Sequence, residues 1–102
     1  SIAAGIRPSR VTANVQGAPV DTAYRVFDTE ALDWVYHMLE HEGLCLGVSS
    51  GINIAGAVHL ARELGPGHTI VTILCDLGLR YMSRLWNPAW MREKGLPVAP
   101  WL

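Results

Sequence analysis

The stretch His41-Glu-Gly-Leu-Cys-Leu-Gly-Val-Ser-Ser-Gly51 carries three structural signals in succession. Gly43 reads as a helix stop, Leu44-Cys-Leu-Gly-Val48 as a short apolar strand, and Ser49-Ser50-Gly51 as the turn that opens a second helix. A strand without polar alternation belongs in a sheet covered on both faces, so the stretch points to an α/β architecture.

Working outward, the segment before it places Ala31, Leu32, Val35, Met38 and Leu39 at helical spacing. Asp28 stands at the N-cap, acidic residues in the first turn, and Gly43 at the end. After the turn, Ile54, Ala55, Val58, Ala61 and Leu64 predict a helix from about 50 to 64, stopped by Gly65. Thr69-Ile-Val-Thr-Ile-Leu-Cys75 is β-branched and apolar throughout, a second buried strand. Strand, helix and strand in that order predict a right-handed parallel βαβ unit spanning the core of the chain at 28–85. Residues 1–27 read as loop-rich. Arg80 to Leu85 and Pro88 to Lys94 read as short helices, the second with Pro88 at N1 and Gly95 as its stop, and the Trp-rich end at 86–102 finishes as an extended tail. Two parallel strands and their helices cannot cover both faces of a sheet, so the chain is expected to be part of a larger domain, and Ser1 in place of Met agrees.

Composition excludes several classes. The chain has 102 residues, 50% hydrophobic and 17% charged, which places it among packed globular domains. A net charge of −1 with scattered lysine and arginine offers no field for nucleic acid or an anionic membrane. No apolar run approaches the roughly 20 residues of a membrane span, and no signal peptide is visible, so a soluble intracellular protein is expected, cytoplasmic before mitochondrial. Cys45 and Cys75 lie in or at the end of apolar runs and read as two buried reduced thiols.

In an open parallel sheet, ligands bind beyond the carboxyl ends of the strands, where helix N-termini present unpaired N–H groups. Ser49-Ser50-Gly51 and Cys75-Asp76 are two such ends. A serine there either binds a ligand or only caps its helix, and Gly51 permits a close approach of backbone or ligand. Gly47-Val-Ser49-Ser-Gly51 also matches the G-x-S-x-G nucleophile elbow, but Asp76, His59 and His68 follow in the wrong order for a hydrolase triad. His37-Met-Leu-Glu40-His41 fits H-x-x-E-H, a zinc-protease signature, yet both imidazoles fall beside the apolar stripe, on a wet helix face, and no metal site is expected. Trp86, Trp90 and Trp101, with Met82 and Met91, read as a patch that packs on another part of the molecule or on a second subunit.

The stretches EGLCLGVSSGINIAGAVHLAREL and TIVTILCDLGLRYMSRLWNP resemble the C-terminal part of the cysteine synthase and cystathionine β-synthase family, pyridoxal-phosphate enzymes of the tryptophan-synthase-β fold type (fold type II). The similarity covers nearly the whole chain and is strongest from about Asp28 to Pro88. The combination E-G-x-x-x-G-x-S-[SA]-G followed by D-x-G-x-R-Y is its specific mark. The resemblance implies that Ser49 hydrogen-bonds the pyridine nitrogen of pyridoxal 5'-phosphate, that Cys75 and Asp76 border the same ring edge, and that Gly5 and Ile6 begin a substrate-side loop. A neutral hydroxyl leaves that nitrogen largely unprotonated, which suits elimination and replacement at the β-carbon of an amino acid. Arg7 departs from the family pattern, which commonly has a second glycine there.

The resemblance further implies a reaction on an O-activated serine, such as O-acetylserine plus sulfide to cysteine, in a homodimeric enzyme. The Schiff-base lysine and the phosphate cup belong to the family's earlier segments. Lys94 is the only lysine here and matches no catalytic position, so no catalytic residue is expected in this chain and the N-terminal portion is an expected partner. Two other readings remain: a non-catalytic homologue acting as a binding or regulatory module, and the serine hydrolase built on the Ser49 elbow.

Overall fold

The computed structural model describes residues 17–81 and 83–102. Its order is α1 (Asp28–Glu42), α2 (Val48–Leu64), a 3-10 turn at Gly78–Tyr81, and α3 (Pro88–Glu93). Helix α1 forms where the spacing predicts. Asp28 and Glu30 sit in its first turn, and Gly43 adopts φ 68° at its end, where the amides of Gly43 and Leu44 donate back to Leu39 and Met38. The cap is displaced by one residue, since Phe27 takes the N-cap position and Asp28 is the first helical residue. Helix α2 likewise begins earlier than the periodicity suggests, with Gly47 as N-cap, so Val48 joins the helix instead of closing a strand.

No strand is present among the described residues, and the parallel βαβ unit expected from 44–48 and 69–75 is not formed there. The first segment meets instead a residue just past the second, at one antiparallel bridge between Leu46 and Leu77. Amides of 69–75 donate no hydrogen bond to any described residue. A helix satisfies its own backbone, whereas a strand needs a neighbour, and an apolar segment with no strand beside it builds no ladder. The second half also departs from expectation in the helix read over Arg80 to Leu85, which is replaced by the 3-10 turn and a non-helical turn at 83–86.

The core is a layer between α1 and the elements that cross it. Ala31, Leu32, Val35 and Tyr36 of α1 pack against Val48 of α2, Leu85, Met91 of α3, and Ala99. Each large side chain so buried contributes about 1.5–3 kcal/mol of transfer free energy. Gly51 is where α1 and α2 come closest: a Cβ there would lie 2.5 Å from the Ala31 carbonyl oxygen and 2.7 Å from Val35 Cγ2. The close approach that this glycine permits is therefore to backbone. Helix α3 is capped by Asn87, whose side chain accepts from the amides of Ala89 and Trp90, with Pro88 at N1 as expected. Trp86 and Trp90 pack against the core, and Trp101 meets Tyr36 edge-on at 6.1 Å, so the aromatic end closes on this same chain. Tyr36 donates its hydroxyl to Pro97 O at 2.9 Å and pins the tail.

Gly51→Ala is expected to lower stability by about 1–3 kcal/mol through overpacking, read as a lower urea midpoint. Burial, reinforced by the nearby Asp33, pushes the Tyr36 hydroxyl from 10.0 up to about 12. The folded state keeps a proton there that the unfolded chain releases, so this contribution is complete below pH 10 and is lost as pH rises towards about 12. Tyr36→Phe should flatten the alkaline limb of stability measured over that interval.

Candidate functional site

The first turn of α2 and the segment around Asp76 form a knot. Ser49 N–H donates to Asp76 Oδ2 at 3.3 Å and Ser50 N–H to Asp76 Oδ1 at 2.8 Å. The Ser50 hydroxyl lies 2.7 Å from Asp76 Oδ1 and 3.0 Å from Asp76 O, and it accepts from the Asp76 amide at 3.1 Å. One hydroxyl carries one proton, so Oδ1, the closer and charged acceptor, is the better partner. Gly47 N–H donates to Asp76 O and Gly78 N–H to Cys45 O, which brackets the Leu46–Leu77 bridge.

Neither serine caps its own helix. The N2 and N3 amides of α2 are capped by a carboxylate 26 or 27 residues away, and that negative charge also complements the positive end of the helix. Gly78 allows the crossing: a Cβ there would stand 2.8 Å from Cys45 Sγ, 2.8 Å from Leu46 O and 2.9 Å from Trp86 Cζ2. Trp86 Nε1 donates to Gly78 O at 2.8 Å and closes the far side.

Ser49 differs from Ser50. Ser50 is fully buried, while Ser49 is half-buried and its hydroxyl has no hydrogen-bond partner among the described residues. One turn on, Asn53 shares its face of α2 and donates to Ile73 O at 2.8 Å, with its Nδ2 3.7 Å from Cys75 Sγ. The Cys75 thiol is exposed, and the Cys45 thiol is half-buried.

The structure thus brings Ser49, Cys75 and Asp76 to one end of α2, as the sequence leads one to expect, but with Asp76 turned onto the helix amides. Gly5, Ile6 and Arg7 lie outside the described residues, as does Met82. Sequence reasoning missed Asn53, a lone amide on an apolar helix four residues past Ser49. Gly78 entered only through the D-x-G-x-R-Y pattern, which does not announce its crowded place.

The other motifs go elsewhere. His37 and His41 are exposed on α1, their rings 4.5 Å apart, and no group of three metal-binding side chains occurs among the described residues. His59 lies ten residues beyond Ser49, about 15 Å along the helix axis. There its Nε2 is 2.7 Å from Glu30 Oε1, and its ring stacks on Tyr24, whose hydroxyl is bonded to Glu63. The 2.7 Å contact is poorly directed for a hydrogen bond and is a close polar approach only. His59 is therefore no base for Ser49. Lys94 is exposed, with Nζ 5.7 Å from the Trp90 ring centroid. No helix among the described residues is long and apolar enough to cross a membrane.

A half-buried hydroxyl without a partner among the described residues, beside a helix N-terminus already filled by a carboxylate, suits a neutral acceptor better than an anion. The chain belongs to the pyridoxal-phosphate dependent enzyme family, whose model matches residues 1–76. Among curated relatives, it is 44% identical over 95 residues to a cysteine synthase of Dictyostelium discoideum, covering 93% of this chain and 25% of that protein. It is 43% identical over 103 residues to cysteine synthase 2 of Schizosaccharomyces pombe, covering 98% and 26%. It is also 40% identical over 98 residues to cysteine synthase 1 of Emericella nidulans, covering 94% and 26%. The chain spans about a quarter of the length of these relatives.

The two serines should respond unequally to truncation. Ser50→Ala removes a buried hydroxyl that serves Asp76 twice and is expected to cost about 1–3 kcal/mol. Ser49→Ala breaks no bond within the described residues and should stay within about 0.5 kcal/mol. Urea midpoints of the two variants measured side by side check the contrast.

Proposed function

We propose that this chain is the C-terminal segment of a cysteine-synthase-like enzyme that performs β-elimination and replacement on an O-activated serine, with O-acetylserine and sulfide giving cysteine. The identity to cysteine synthases across more than nine-tenths of the chain carries the reading. The segment acts with the earlier part of the enzyme, which supplies the Schiff-base lysine and the phosphate cup, in a homodimer of the complete protein. Bound pyridoxal phosphate supplies the electron sink for bond breaking at the substrate amino acid.

What this chain contributes is position and polarity. The Ser49 hydroxyl meets the ring nitrogen as a neutral partner, and Cys75 borders the same end. The charge of Asp76 is engaged by the first amides of α2, so this carboxylate is not the partner that would keep the ring nitrogen protonated. The family resemblance gives Gly5 and Ile6, which lie outside the described residues, the role of opening the substrate-side loop. The uncovered apolar run Val71, Ile73, Leu74, Cys75 and Leu77 supports an origin within a larger sheet: these side chains are exposed here and suit burial against other parts of the enzyme. In the complete enzyme, segments 44–47 and 69–75 become strands of its parallel sheet, paired with strands from the earlier part.

The test is co-expression of the chain with the preceding segment of its enzyme. The expected product is a complex that binds the cofactor, absorbs at the visible edge and makes cysteine from O-acetylserine and sulfide, while the lone chain does neither. Within the complex, Ser49→Asp should lower kcat by about 100-fold, the scale for loss of one preorganised polar contact. A complex that holds the cofactor yet makes no cysteine would overturn the reading in favour of a non-catalytic binding module. Labelling of Ser49 by a serine-directed phosphonate would return the hydrolase.

A further inference from the structure

Every polar group of Asp76 is engaged with the start of α2 or the residue before it. Its carboxylate accepts from two amides and a hydroxyl, its N–H donates to Ser50 Oγ, and its C=O accepts from Gly47 N–H. The residue is 9% exposed, so these bonds act with little competition from water. Ser49 and the residue after it are both anchored: its own amide is held by Oδ2 and the next one by Oδ1, which restrains its Cα–Cβ direction against movement of the helix end. Its hydroxyl is left without a hydrogen bond among the described residues.

We propose that Asp76 is a positioning residue that acts through Ser49. By occupying the N-terminus of α2 it aims the Ser49 hydroxyl at the cofactor ring, and it denies this helix end to any anion, including the cofactor's own phosphate. The proposal rests on the reading that Ser49 meets the ring nitrogen. It differs from a direct ring contact by Asp76, because both carboxylate oxygens are already committed to donors of α2.

Asp76→Asn replaces one acceptor with an NH2 group facing N–H donors, so the helix start loosens while side-chain volume is kept. The experiment is a double-mutant cycle in the full-length enzyme loaded with pyridoxal phosphate: wild type, Asp76→Asn, Ser49→Ala and the pair, each read by the absorption and fluorescence of the bound cofactor and by kcat and KM. Asp76→Asn is expected to shift the cofactor spectrum and to lower kcat by about tenfold with KM little changed, the lower end of the 10- to 100-fold effect of partners that orient a contacting group. On the Ser49→Ala background the same substitution should leave the spectrum unmoved.

An equal spectral shift with and without Ser49 would overturn the positioning role, since Asp76 would then act on the ring directly or on the fold at large. A Ser49→Ala enzyme with an unaltered cofactor spectrum would instead sink the Ser49 reading, whatever Asp76 does. If Asp76→Asn does not fold, Ser50→Ala takes its place in the cycle. It keeps the carboxylate on both amides and removes one anchor, and it should give a smaller shift with the same dependence on Ser49.

Discussion

A nearly buried carboxylate and a buried helix start each need what the other has. Asp76 would be costly to bury without donors, and the first amides of α2 would be costly to bury without an acceptor; brought together, they remove both penalties. The rest follows by contact. The bridge between Leu46 and Leu77 sets the two segments side by side, Gly78 lets them cross without a side chain in the way, and Trp86 seals the crossing through its indole N–H. Trp86 in turn lies 5.9 Å from Tyr36, whose hydroxyl reaches Pro97. A continuous path of bonds and packed rings therefore joins the start of α2 to α1 and the tail.

The helices carry the fold because they complete their own backbone bonding. Helix α1 buries one stripe, α2 lies against it through Gly51, and α3 adds Met91 to the same core. The segment 69–75, as apolar as any strand, finds no neighbour among the described residues and is held mainly by side-chain ties from Asn53 and Thr72. Its Val71 remains 84% exposed, the opposite of a buried strand.

That contrast explains what could be read in advance. Helix spans, the stops at Gly43 and Gly65, and Pro88 at the start of α3 are local properties, written within a few residues of where they act. Strands are properties of pairs, so an apolar run at 69–75 could announce a strand but not provide its partner. The end of α2 was legible as a site because Ser49, Ser50 and Asp76 are polar residues at the edges of apolar runs. Which serine is bonded and which is open depends on a carboxylate 26 residues away, and no local pattern specifies that. Gly78 was opaque for the same reason: its crowding comes from Cys45, Leu46 and Trp86, all remote in sequence.

The indole of Trp86 has a use beyond sealing the crossing. It is bonded to the carbonyl of Gly78, two residues from Asp76, and it leans on Tyr36 in the core, so its electronic environment depends on whether both neighbours are in place. Loosening of the α2 start withdraws an oxygen from the ring nitrogen, and loosening of α1 withdraws an aromatic face. With Trp34, Trp90 and Trp101 replaced, the emission of this one indole would register order at the site without any added label.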